Sequence, residues 1–176
     1  MTASNFAASL KLVLQSEGGN DDDPADHGGR TSRGVTQKEY SAWRRMEGKS
    51  ELDVWQAPQE DIETIYHDEY WEPLCDTLPS GVDYIVFNNN VLDGPVRSTI
   101  LLQQALGVTA DGRVGPITRE AIQAADAATL IAKLSVASRA FYLSLHQPRF
   151  TKGWLNRVAS VNKNALAMIA PTSKIA

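Results

Sequence analysis

Glu17, Asp26 and Thr31 are the residues whose types and spacing could do chemistry. Asp26 follows Glu17 by nine positions, and Thr31 follows Asp26 by five. Cleavage of a glycosidic bond needs one carboxyl group to protonate the leaving oxygen. It needs a second carboxylate to assist water or to stabilise positive charge developing on the sugar. Glu17 suits the first role, because Phe6, Leu10, Val13 and Leu14 recur at helical spacing and Glu17 falls on their stripe. An apolar surround and the negative end of the helix dipole both disfavour its ionised form, which raises its pKa toward the range a general acid requires. Asp26, with the hydroxyl of Thr31, suits the second role by holding the attacking water. The pairs Gly18-Gly19 and Gly28-Gly29 let backbone approach backbone around such a cleft, so Gly28 and Gly29 are candidate substrate contacts.

The elements that must position these groups are mostly helical. The first helix ends at Gly18-Gly19, and Asn20 to Gly34 holds no apolar residue larger than Ala25, so an irregular or hairpin insert follows it. Thr36 to Glu39 reads as a capping box opening a second helix with Tyr40 and Trp43 inward. A short helix is expected over Ser50–Asp53, and a longer one over Pro58–Tyr70 with Ile62, Ile65, Tyr66 and Glu69 on its inner face. Asp83 to Val91 predicts a buried helix, Pro95 opens the next, and Asp111-Gly112 and Gly115-Pro116 punctuate a tight connection before another. Leu130, Leu134, Ala137, Phe141 and Leu145 mark the inner stripe of a long helix, and Gly153 to Met168 supports a last one. The fold class is therefore all-α, with one short polar insert.

Charge divides the chain more sharply than its net value of −4 suggests. Residues 127–176 contain seven Lys and Arg and no Asp or Glu, so residues 1–126 hold 10 basic against 21 acidic side chains. An acidic working half and a basic half that meets a polyanion would produce this asymmetry. A nucleic-acid partner has only this charge in its favour, because no zinc-finger, RRM or bZIP signature is present, and none is expected. No apolar run reaches the roughly 20 residues of a membrane span, so stable membrane insertion is not expected either. Residues 1–16 have the pattern of an amphipathic helix rather than of a signal peptide. Cys75 is the single cysteine, which rules out an internal disulfide and argues against a cysteine zinc site. Asp21, Asp22, Asp23, Asp26 and His27 are dense in ligand atoms but lack EF-hand periodicity. A solvated acidic loop is the expectation there, with no metal and no cofactor. Tyr66, Trp71, Trp43 and Trp55 could line a sugar groove, although helical spacing makes core the expected place for most of them.

The run E-G-G-N-D-D-D-P-A-D-H-G-G-R-T-S-R-G-V-T, Glu17 to Thr36, resembles the signature of the glycoside hydrolase 108 family of phage and prophage muramidases. It is similar, more loosely, to the Glu-Asp-Thr arrangement of phage lysozymes. Leu106 to Thr118 resembles the D-G-x-x-G-P-x-T element of the peptidoglycan-binding half that accompanies these enzymes. Arg139, Phe141, Tyr142, Phe150, Gly153, Trp154 and Arg157 resemble that half's closing motifs. The resemblance implies a lysozyme-like helical fold, with a catalytic region over 1–93 and a peptidoglycan-binding region over 94–176 packed as one unit. It implies an endolysin-type muramidase that cuts the β-1,4 bond between N-acetylmuramic acid and N-acetylglucosamine in peptidoglycan glycan strands. Such an enzyme would be made in the bacterial cytoplasm and reach the wall with a holin as its export partner.

Three departures bear on the substrate contacts. Asn20 stands where the family has an aromatic residue. Asn88 to Gly94 replaces a D-x-x-V-N-S-G pattern, which makes Asn88 and Asp93 candidate substrate contacts, and Leu92 is apolar where the family is polar. A catalytically decayed wall-binding or virion structural protein is the alternative these changes leave open. Because Glu17 ends a helix while Asp26 and Thr31 lie in the insert, a wide carboxyl spacing with water between is expected, and hence inversion at the anomeric carbon.

Overall fold

The computed structural model describes residues 5–17, 20–21, 30–72 and 74–169. The chain forms two compact units, Phe6–Glu69 and a larger one comprising Tyr70 onward together with the N-terminal residues through Asn5.

The smaller unit opens with α1 (Phe6–Glu17), whose Leu10 and Val13 are buried as their spacing requires. A three-stranded antiparallel sheet follows: β1 (Asn20–Asp21), β2 (Thr31–Ser32) and β3 (Val35–Thr36). Register pairs Asp21 with Thr31, and Ser32 with Val35. Arg33 and Gly34 form the β2–β3 turn, with φ of 51° and 82°. Two consecutive residues at positive φ make the tight hairpin turn whose twist matches the strands, and Gly34 supplies one of them without steric cost. Thr36 then caps α2 (Gln37–Met46) through the expected capping box, and Tyr40 and Trp43 are buried.

Ser50–Asp53 is not a helix. The side chain of Gln37 donates to Leu52 O and accepts from Val54 N, and Asp53 accepts from Trp55 N. These bonds hold the segment extended until a single 3-10 turn at Val54–Gln56. The next helix, α3, covers only Gln59–Tyr66 and widens into a π turn at His67–Trp71. That wider turn carries Glu69 off the inner face, so Glu69 is exposed and Trp71 is fully buried.

The larger unit is built around α4 (Val82–Asp93), every residue of which from Val82 to Asn90 is buried. It packs against α5 (Pro95–Leu106), α7 (Ala127–Ser144) and α8 (Pro148–Met168), while α6 (Pro116–Ala124) lies against α5. Gly81 begins α4 at φ 83°, and a Cβ there would meet the carbonyl of Ala165 in α8 at 2.3 Å, so no larger residue fits that crossing. Buried Gln103 organises the D-G-R-V-G-P-I-T loop, donating to Asp111, Arg113 O and Thr118 and accepting from Gly112 N. The inner line of α7 runs through Leu130, Leu134, Ser138 and Tyr142. Phe141 is half-buried and Leu145 exposed, because a buried hydroxyl at Ser138 meets the amide of Asn89 and draws that face inward. Helix α8 starts at Pro148 rather than Gly153, since proline is pre-organised for a first helical position. No helix among the described residues is long and apolar enough to cross a membrane.

Candidate active site

Each element of the smaller unit helps to fix the ends of the insert. Glu17 is the last residue of α1. Three residues later β1 begins, and β1 pairs with the strand that carries Thr31. Asp26, Gly28 and Gly29, like His27, lie outside the described residues.

Thr31 is held from several directions. Its carbonyl accepts the indole N–H of Trp55 at 3.0 Å, and its strand partners are Asp21 and Thr36. The guanidinium of Arg30 lies 4.4 Å from the Trp55 ring centre and pairs with Asp53, which also caps the turn bearing Trp55. Arg33 occupies a left-handed conformation that an L-residue adopts at a cost of roughly 1–2 kcal/mol. Its side chain donates to Ala57 O and to Gln59 Oε1, each at 2.7 Å, and its carbonyl accepts from Tyr66 at 2.9 Å. Those three bonds offset the strain and fasten the hairpin to α3.

Tyr66 therefore ties α3 to the hairpin. Its ring is 2% exposed, which leaves no face for a sugar, and its hydroxyl is committed to Arg33. Trp43 and Trp71 are likewise core, whereas Trp55 is 38% exposed beside Thr31. Arg33 does not stand out in the sequence, and Trp55 does so only as one of four aromatic candidates for a sugar groove. The T-S-R-G-V-T alternation with glycine at its centre is the one signal that marks the hairpin.

Below this site, Asp61 is buried and accepts from Tyr40 at 2.7 Å, Arg44 at 2.9 Å and Lys49 at 2.8 Å. Burial opposes its ionisation. The hydrogen bonds from Lys49 and Tyr40 and the charges of Lys49 and Arg44 outweigh that, so its pKa is lowered.

The larger unit gives Asn88 and Asp93 internal partners. Asn88 is 4% exposed and accepts from Arg157 at 3.2 Å, while Asn89 donates to Ser138 and Asn90 to Tyr70 O. Asp93 accepts from the hydroxyl of Tyr142 at 2.7 Å, and Tyr142 stacks on Trp154. Desolvation raises the pKa of Asp93, against the Tyr142 bond and the charges of Arg97 and Arg157. The cavity lined by Asn88, Tyr142, Trp154 and Arg157 measures about 10 Å³, barely the space of one water molecule and far too small for a sugar. Tyr142 and Arg157 of the closing motifs, with Trp154 stacked on Tyr142, thus grip the end of α4. Cys75 is buried, and burial pushes its thiol far above the usual range, so it is inert. His67 bonds to Asp68 and packs edge-on against Phe6, and His146 is exposed in the connection after α7.

Residues 10–94 match the family model described as Glycosyl hydrolase 108, and residues 97–159 match the Predicted Peptidoglycan domain. Among solved structures, that of Brucella abortus SagA is 32% identical, with a TM-score of 0.78 over 96% of this chain and 98% of that one. The chain belongs to glycosyl hydrolase family 108. This family 108 protein is a lysozyme-type glycosidase with a mainly-α, lysozyme-like fold, and peptidoglycan is the polymer it hydrolyses. No curated protein matches it.

Proposed function

We propose that the protein is an endo-acting muramidase that cuts the β-1,4 bond between N-acetylmuramic acid and N-acetylglucosamine. Glu17 is the general acid, and Asp26 with the Thr31 hydroxyl holds the water that attacks from the opposite face of the sugar. The observation that carries this is the tie between α1 and the hairpin. Glu17 ends the helix, and four residues on, Asp21 is the strand partner of Thr31. Four residues span at most roughly 14 Å, and paired strand residues lie about 5 Å apart, so Glu17 and Thr31 are constrained to one neighbourhood.

Protonation of the glycosidic oxygen by Glu17 releases the leaving sugar as positive charge builds at the anomeric carbon. Asp26 takes a proton from water as it adds, and inversion follows if the carboxyl groups are on the order of 6.5–9.5 Å apart. Gly28 and Gly29 admit the glycan backbone closely. Residues 1–93 form the catalytic region and 94–176 the wall-binding region. The signature's likeness to phage and prophage enzymes supports an endolysin role, with wall access in the periplasm through a holin.

Mass spectrometry of digested peptidoglycan tests the bond assignment. Products ending in reducing muramic acid are expected, and products ending in reducing glucosamine would overturn it. Proton NMR of the first product tests the stereochemistry: an initial α-anomer is expected, and an initial β-anomer would defeat inversion.

A further inference from the structure

Where α7 gives way to α8, a groove of about 780 Å³ opens on the surface of the larger unit. Arg139 and Leu143 of α7 line one side, and Lys152, Leu155 and Ala159 of α8 line the other. His146 sits in the connection at φ 50°, in the left-handed region, where the chain turns sharply between the helices. Arg139, His146 and Lys152 are exposed, and Leu143 is 46% exposed. Among the described residues no carboxylate lines the groove, and no Asp or Glu occurs in residues 127–176. Three basic side chains thus share a concave surface with a short apolar strip and, among the described residues lining it, no acid.

We propose that this groove binds the stem peptide of peptidoglycan through its free carboxylates. The inference rests on peptidoglycan being the substrate and assigns the peptide, rather than the sugar, to this face. Two features select the peptide. No Trp, Tyr or Phe is among the described residues that line the groove, so these offer none of the flat rings on which sugars stack. Its lining instead pairs basic groups with small aliphatic surface, which complements a short peptide of methyl and methylene side chains carrying several carboxylates. Charge attraction at an exposed surface gives modest affinity and orientation, and it suits a processive or repeatedly released contact. The glycan is then held by the peptide on one part of the enzyme while it is cut at another.

Co-sedimentation of the full chain with purified sacculi, on ice and at low ionic strength, tests this. Binding to intact sacculi is measured without and with an excess of soluble stem peptide released from the same wall by an amidase. Arg139→Gln/Lys152→Gln is expected to weaken binding to intact sacculi by about fivefold. Arg119→Gln/Lys133→Gln makes the same charge change at exposed positions outside the groove, and it is expected to bind as the parent does. Excess soluble stem peptide should lower parent binding to the level of the groove variant and leave the groove variant's own binding unchanged.

Equal losses in both double variants would show general charge attraction and overturn the proposal. So would parent binding that excess soluble stem peptide leaves undiminished. A groove variant that keeps its sacculus binding but loses binding to vesicles of phosphatidylcholine and phosphatidylglycerol would overturn it in favour of a membrane surface. Reducing-end release by the parent is scored separately on the same sacculi. Its absence would count against the muramidase assignment while the peptide comparison still stands.

Discussion

The indole N–H of Trp55 donates to the main-chain carbonyl of Thr31 at 3.0 Å, which ties an exposed ring to the strand bearing a proposed catalytic hydroxyl. Trp55→Phe keeps a ring but removes the donor. One such bond contributes about 1 kcal/mol, so turnover should fall about fivefold as the strand loosens. Initial rates of reducing-end release, set beside melting temperatures, check this. An unchanged rate would separate Trp55 from the site.

Glu17→Gln is nearly isosteric and removes the transferable proton. Loss of a general acid costs about 10²–10⁴-fold in rate, with the fold retained by circular dichroism. Asp26→Asn is expected to lose less, because an amide can still orient water. A variant at Glu17 that keeps a tenth of the activity would remove it from the acid role.

Asp61 predicts an acid-sensitive fold in the smaller unit. Its pKa is lowered in the folded state, so its contribution is present above the ordinary carboxylate value and is lost as pH falls through the folded value. Asp61→Asn leaves Arg44 and Lys49 without their counter-charge and should cost about 2–3 kcal/mol near neutrality. Thermal melts should show the gap between parent and variant closing below about pH 4. A gap that stays constant with pH would mean that the charge is not the source of the stability.

Asp93 predicts the opposite slope. Its folded pKa is raised, so its contribution is complete at low pH and is lost as pH rises through the folded value. Asp93→Asn can still accept from Tyr142 and has nothing to ionise. Its melting temperature should match or exceed the parent's at pH 7 and fall less between pH 4 and pH 7. A variant less stable than the parent at pH 7 would show that the carboxylate charge is needed.

The helices were legible because their signals are local. The capping box at Thr36 to Glu39, Pro95 and Pro116 at helix starts, and the stripe of Leu10 and Val13 each depend on residues within a turn or two. What escaped depends on partners distant in the chain. Gln37 holds residues 52 to 54 out of a helix, and the amide of Asn89 draws Ser138 inward in place of a plain apolar stripe. At the site, the sequence reading placed Glu17 at a helix end and Thr31 in a hairpin region. It left Tyr66 among the candidates for a sugar groove because nothing near Tyr66 in sequence reveals its bond to Arg33, 33 residues away.

Helix α4 belongs by sequence to the glycosyl hydrolase match, yet it is the buried centre of the unit otherwise made from the C-terminal helices. A gene cut at residue 94 would therefore sever a hydrophobic core rather than a linker. Val82, Val86 and Phe87 would lose their cover in one fragment, and α5, α7 and α8 would lose their centre in the other. The two family segments are not interchangeable cassettes. Recombination that swaps the segment matching the Predicted Peptidoglycan domain must bring a compatible α4 with it, so the two matched segments are inherited together across their boundary.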